Sequence, residues 1–428
     1  MKLVSELTVI FEKGSLADLI KRVESSGCAV ARFEQGEGSS GEQVTCILEV
    51  VYSDRSRFAG LIKELSKKQG NYILKEVSSS MEAYMKEGLL EVSGRIPLEK
   101  ISDYETSLLG ATELIQERIQ GGSHDVTCGI DRNIVQVVGC HGDDPGLEDE
   151  LLKQYCLAQS DGIVLSRFTP FNPYPLISAT SQGEDIIRVL KNVEKTYGAA
   201  RIVSLMDAGL SVYEQLSREV SIPVVFREFD EIPVYLLSMI LRMAMKHHLE
   251  PEETTIGIVG INLSAIRLTR LLKRCHFSRV LGYDTAEKIL LNFENEGGLA
   301  TTTENIFSHT DIVIILSPLY SDDDIRFMRP GQFILSVTSD SPIDVDILKE
   351  QGVRDVVQGD IYDLSRIFPG LISGVMEHGI MSLDDSRLTE VARKLGNLLT
   401  EDYQFPDLFG PVHTMVADFL DPSVMLKK

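Results

Sequence analysis

The segment Ile256-Gly257-Ile258-Val259-Gly260 constrains the architecture of this chain more than any other. A short apolar run ending on glycine reads as a buried strand entering a tight turn. Leu263 to Leu272 follows as a helix, and a second apolar strand ends at Gly282-Tyr283-Asp284. Two strands joined by one helix lie parallel, because the crossover carries the chain back to the same end of the sheet. The apolar runs Asp311 to Leu316 and Phe333 to Val337 extend that sheet. An α/β fold is therefore the starting expectation.

The order strand, turn, helix, strand is that of a Rossmann domain. Its turn reads Gly260-Ile261-Asn262-Leu263-Ser264-Ala265. Such turns carry glycine at the first and third of these positions, so that a pyrophosphate can approach bare backbone. Asn262 departs from the pattern: it tolerates unusual φ angles but adds a side chain. Asp284 lies roughly 20 positions beyond the turn, where a carboxylate accepts from the ribose hydroxyls of NAD and repels the extra phosphate of NADP. The expected cofactor is NAD, with Gly260, Asn262, Ala265, Asp284 and Ser317 as candidate contacts. A Rossmann fold that has lost its ligand is the alternative.

Residues 1–79 follow a βαββαβ order. Leu7 to Phe11 is rich in β formers, and Leu16, Leu19, Ile20 and Val23 recur at helical spacing. Cys28 to Phe33 and Val44 to Tyr52 read as strands around a glycine-rich turn. Phe58, Leu61, Ile62 and Leu65 mark a second helix before the strand Tyr72 to Val77. This order resembles an ACT domain. The resemblance implies a small effector, often an amino acid, bound at a dimer interface near the turn containing Lys13 and Gly14. A ferredoxin-like module used only for dimerisation fits the same residues. The expected division is 1–79, 80–249 and 250–428, the last carrying the Rossmann sheet and C-terminal helices.

Several segments between residues 83 and 420 resemble the malic enzymes in order and spacing. Lys86-Glu87-Gly88-Leu89-Leu90-Glu91-Val92, then Arg95-Ile96-Pro97-Leu98, looks like the family's opening, and Asn133 to Val138 like its first core strand. Asn172-Pro173-Tyr174-Pro175, Ile222-Pro223-Val224-Val225-Phe226 and Ile367-Phe368-Pro369-Gly370-Leu371 match later family segments. The resemblance implies a malic-enzyme-like N-terminal α/β domain, a Rossmann domain and NAD-dependent malate oxidoreductase chemistry. That chemistry needs a base at the C2 hydroxyl, a divalent cation to polarise the new ketone, and an acid for the enol carbon.

The groups that the family uses for these tasks are replaced. The tyrosine-bearing stretch becomes Ser107-Leu108-Leu109-Gly110, and the lysine position holds Asp161. Leu205-Met206-Asp207 puts a thioether in place of one carboxylate ligand, and hard cations prefer oxygen. The acidic pair after the Pro-Val-Phe strand becomes Glu228-Phe229, or Phe229-Asp230 if the count slips by one. Asp207, Glu228 and Asp230 are the remaining candidate oxygen ligands, with solvated surface acids as their simpler reading. The expected protein is malic-enzyme-like, binds NAD, senses a ligand and is impaired in converting malate to pyruvate. The alternatives are an NAD-linked oxidoreductase on malate or another 2-hydroxy acid, with Asp161 as base, and a structural partner of an active paralogue.

A formal charge of −22 argues against nucleic acid or an anionic membrane as a partner. The apolar stretch Ile232 to Met245 is too short to span a bilayer and contains Arg242. A cytoplasmic homodimer or larger homo-oligomer with mostly buried, reduced thiols is expected. His247 and His248 read as a helix end whose imidazolium complements the dipole, and Asp322-Asp323-Asp324 as a helix start.

Overall fold

The computed structural model describes residues 3–12, 16–35, 43–52, 57–58, 60–62, 65, 72–77, 132–139, 145–178, 180, 182–205, 210–337, 345–359 and 361–422. The chain divides into two compact units, Met1–Ser93 and Gly94–Lys428.

In the first unit, β1 (Leu3–Glu12), α1 (Leu16–Ser25), β2 (Ala29–Gln35), β3 (Gln43–Tyr52) and β4 (Tyr72–Val77) follow one another. The sheet runs β2-β3-β1-β4, and each of its pairings is antiparallel. Leu7 and Val9 on β1 and Cys46, Leu48 and Val50 on β3 alternate onto one buried face. Leu19 and Val23, four residues apart on α1, cover that face, with Phe58, Leu61 and Leu65 from helical residues between 57 and 65.

The second unit holds two parallel sheets. The first runs β6-β5-β7-β8, from β5 (Asn133–Gly139), β6 (Asn172–Ser178), β7 (Ala199–Leu205) and β8 (Val224–Phe226). Its crossovers are α2 (Pro145–Phe168), α3 (Gly183–Val193) and α4 (Leu210–Glu219). Val135, Val137, Ala200 and Ile202 pack against Ile186, Leu190, Tyr213 and Leu216 of α3 and α4. After β8 the chain makes a π turn, Arg227–Glu231, and enters α5 (Ile232–His247), which is buried from Pro233 through Ile240.

The second sheet comprises β9 (Thr255–Val259), β10 (Arg279–Tyr283), β11 (Leu299–Ala300), β12 (Ile312–Ile315), β13 (Phe333–Ser336) and β14 (Asp355–Gln358). They are ordered β11-β10-β9-β12-β13-β14, the 3-2-1-4-5-6 arrangement of a doubly wound sheet whose order reverses beside β9. α6 (Leu263–Arg274), α7 (Glu287–Asn295) and α8 (Thr303–His309) flank its first half. One apolar core joins Ile134 and Val225 of the first sheet to Ile256 and Ile258 of the second through α5.

Three further helices brace this core: α9 (Phe368–Glu377), α10 (Asp385–Leu398) and α11 (Val412–Asp418). A Cβ on Gly370 or Gly374 would lie 2.5 Å from the His413 carbonyl or 2.8 Å from that of Ala417, so α9 and α11 meet backbone to backbone. The three aspartates at 322–324 do start a helix, with Ser321 as N-cap and Asp324 completing a capping box. No helix among the described residues is long and apolar enough to cross a membrane.

Candidate functional site

The end of β9 builds the first half of the site. Gly260 has φ +85°, and a Cβ there would lie 2.4 Å from Ser317 Cβ and 2.7 Å from its backbone nitrogen. Only glycine allows the turn and the end of β12 to approach this closely. Asn262 has φ −128° and ψ −174°, ordinary extended values, so its tolerance of unusual φ angles is not called on. Its Oδ1 accepts from the Ala265 amide at 2.9 Å, making it the N-cap of α6. The side chain thus replaces bare backbone but folds onto the helix start, while other first-turn amides keep no intrahelical acceptor. Ala265 is fully buried. Asp284, at the end of β10, accepts from the Ile261 amide at 2.8 Å and from the Ala286 amide at 2.9 Å. Each carboxylate oxygen retains a further acceptor site for a ligand hydroxyl.

The π turn after β8 builds the second half. Ser264, in the first turn of α6, donates to the Glu228 carbonyl at 2.7 Å, so this turn and the β9 turn touch. Glu228 accepts from the Tyr213 hydroxyl at 3.0 Å and lies 3.5 Å from Ser204 Oγ. Burial raises its pKa against the opposing effects of Tyr213, Arg227 and Ser204. Asp230 accepts from the Phe226 amide at 2.9 Å, and burial pushes its pKa up to about 7 although the Arg267 charge opposes this. Phe229 lies beneath Arg267, whose guanidinium carbon is 4.4 Å from the ring centroid. A cavity of about 320 Å³ opens here, lined by Arg218, Phe229, Asp230, Arg267 and Arg270 among others.

Beneath the turn lies a buried polar network. Arg201 is fully buried and donates to both oxygens of Glu231, each at 2.7 Å. The same guanidinium donates to Asp161 Oδ2 at 2.7 Å and Gln136 Oε1 at 3.0 Å, and lies 4.1 Å from the Phe368 ring centroid. Burial opposes its charge, but Glu231 and Asp161 outweigh burial and raise its pKa.

These contacts revise the expectations. Glu228 and Asp230 are not solvated surface acids: they sit between an apolar strand and an apolar helix and are buried or nearly so. No group of three metal-ligating side chains occurs among the described residues. Asp161 is an ion-pair partner of Arg201. Asp207, Ser107, Lys13 and Gly14 lie outside the described residues. His247 ends α5 as anticipated, with Nε2 3.2 Å from Asp355 Oδ2 and 3.1 Å from the Tyr403 hydroxyl, and burial lowers its pKa against the opposing effect of Asp355. Among the described cysteines, 28, 46 and 275 are buried and 156 is exposed.

Two parallel sheets on one helical frame, the second with a capped turn at its order reversal, define a two-sheet α/β protein of Rossmann type. No protein-family model matches the chain. NAD-dependent malic enzyme 1 of Bacillus subtilis (strain 168) is 22% identical over 258 residues, 59% of this chain and 58% of that relative, so less than two thirds of its length is matched. Malic enzyme from Pyrococcus horikoshii matches in fold with a TM-score of 0.65 at 16% identity, over 78% of this chain and 86% of that one. NAD-dependent malic enzyme from Thermotoga maritima matches with a TM-score of 0.63 at 16% identity, over 80% and 99%. The fold is that of the malic enzymes, and 258 residues of the chain are similar in sequence to one of them.

Proposed function

We propose that this chain is an NAD-binding member of the malic enzyme group in which ordinary oxidative decarboxylation of malate is impaired. The observation that carries this reading is the commitment of its acids: Asp161 to Arg201, Glu228 to Tyr213, and Asp230 to the Phe226 amide. A base must be free to take a proton and a cation needs ionised oxygen ligands. NAD supplies a hydride acceptor when bound. Its binding here is supported by the names of the relatives and by the junction of Gly260, the start of α6 and Asp284. A carboxylate at Asp284 favours a free ribose 2′-hydroxyl over a 2′-phosphate.

The N-terminal βαββαβ unit is proposed to sense a small ligand, an amino acid being the first class to try, and to pair the chain into a homodimer or larger homo-oligomer. Calorimetry with NAD and NADP on the intact protein and on Asp284→Ala, beside an L-malate turnover assay with Mg²⁺ or Mn²⁺, tests the central reading. NAD binding without ordinary turnover is the expected result. Turnover on the order of 10 per second would overturn it.

A further inference from the structure

We propose that Arg227 binds the carboxylate of a small organic acid at the junction between the β8 turn and the start of α6. Arg227 is the first residue of the π turn and is only 5% exposed. Among the described residues, no hydrogen bond or ion pair reaches its guanidinium, in contrast to Arg201, which has three carboxylate contacts.

The acids near it are already occupied. Asp161 and Glu231 bind Arg201, and Glu228 binds Tyr213. Asp161, Glu231 and Glu228 are close enough to favour the Arg227 charge, Arg201 opposes it, and burial outweighs them all. Guanidinium stays protonated in proteins, so this charge cannot be relieved by losing a proton. The nearby acids supply counter-charge, but the guanidinium N–H groups meet no acceptor among the described residues, and buried donors left unpaired are unfavourable.

The position suits a ligand. Arg227 directly follows the C-terminal end of β8, the edge at which open parallel sheets bind ligands. Its neighbour Glu228 is tied through Ser264 to the first turn of α6, beside the Gly260 turn. A planar guanidinium fits a carboxylate through paired N–H donors.

This inference rests on the family reading only for the placement of the cofactor, and its test separates the two. Oxalate and L-malate are titrated into the full chain, with and without NAD, and into Arg227→Gln, Arg227→Lys and Arg227→Met. Oxalate is expected to bind the unaltered protein. Arg227→Gln and Arg227→Met should weaken it about tenfold or more, Arg227→Lys less, and all should leave NAD affinity unchanged. Ligand-free Arg227→Met should melt above the unaltered protein, because buried donors without acceptors have been removed. Equal oxalate affinity in Arg227→Gln, no acid binding to a protein that binds NAD, or tighter binding of inorganic phosphate than of either acid would overturn the assignment. A lower melting temperature for Arg227→Met would show a structural cation and overturn it too. Acid binding at Arg227 without NAD binding would leave this assignment standing and refute the cofactor reading.

Discussion

Ser264 donates its hydroxyl to the backbone carbonyl of Glu228 at 2.7 Å, tying the first turn of the helix after β9 to the turn after β8. This hydrogen bond joins the two halves of the candidate site, beside the packing of Arg267 over Phe229. Ser264→Ala leaves that carbonyl without its donor, and a loss of about 1 kcal/mol is expected in urea unfolding. NAD affinity should fall with it, since the start of α6 is then free to shift. Unchanged stability and affinity would show that the two turns hold their positions independently.

Arg201 and Glu231 form a doubly hydrogen-bonded, fully buried pair. Arg201→Met leaves Glu231 and Asp161 without their cation and should destabilise the second unit by about 3–5 kcal/mol. Replacing Glu231 by Gln and Asp161 by Asn in the same chain should recover a large part of that loss. A double-mutant cycle reads the coupling, and additive losses would refute it.

The Asp230 carboxyl, with its pKa raised to about 7 by burial, gives a pH dependence of definite sign. Above the unfolded value and below 7, the folded chain holds a proton that the unfolded chain has released. The stability from this group is therefore full at acid pH and is lost as pH rises through the folded pKa. Between pH 5 and pH 7 it should lower stability by roughly 2–3 kcal/mol. Asp230→Asn should remove that slope in urea titrations across pH 5 to 8. The same slope in the variant would exclude Asp230 as its origin.

At Gly260, alanine meets both a left-handed backbone and the Ser317 main chain. Gly260→Ala should cost about 2 kcal/mol or more and abolish NAD binding. Thermal melting of the full chain and calorimetry check the two halves of this expectation separately.

The residues differ in how much of their role the sequence made legible. Parallel-sheet strands are nearly continuous apolar runs, so β9, β10, β12 and β13 stood out, and the helix start at Asp322 was signalled by its run of aspartates. The Arg201 network was not. Its members lie 30, 40 and 65 positions from Arg201, and no periodicity links residues brought together across a sheet. Glu228 and Asp230 were read as surface acids because the chain is acidic throughout. The missed signal was their setting, with the apolar run before them and the long apolar helix after them leaving no wide path to solvent.

The π turn at Arg227–Glu231 closes with the Ile232 amide on the Arg227 carbonyl, five residues back. An α-helical turn closes over four. The extra residue separates two ways of numbering the acids after β8. Counted along the chain, the family's pair falls on Glu228 and Phe229. Counted back from α5 by helical phase, it moves by one. Counting letters through this turn and counting by helical phase therefore give answers one residue apart. Which of Glu228, Phe229 and Asp230 faces a given neighbour is thus a question about the helix surface, and a linear count of letters has no means of posing it.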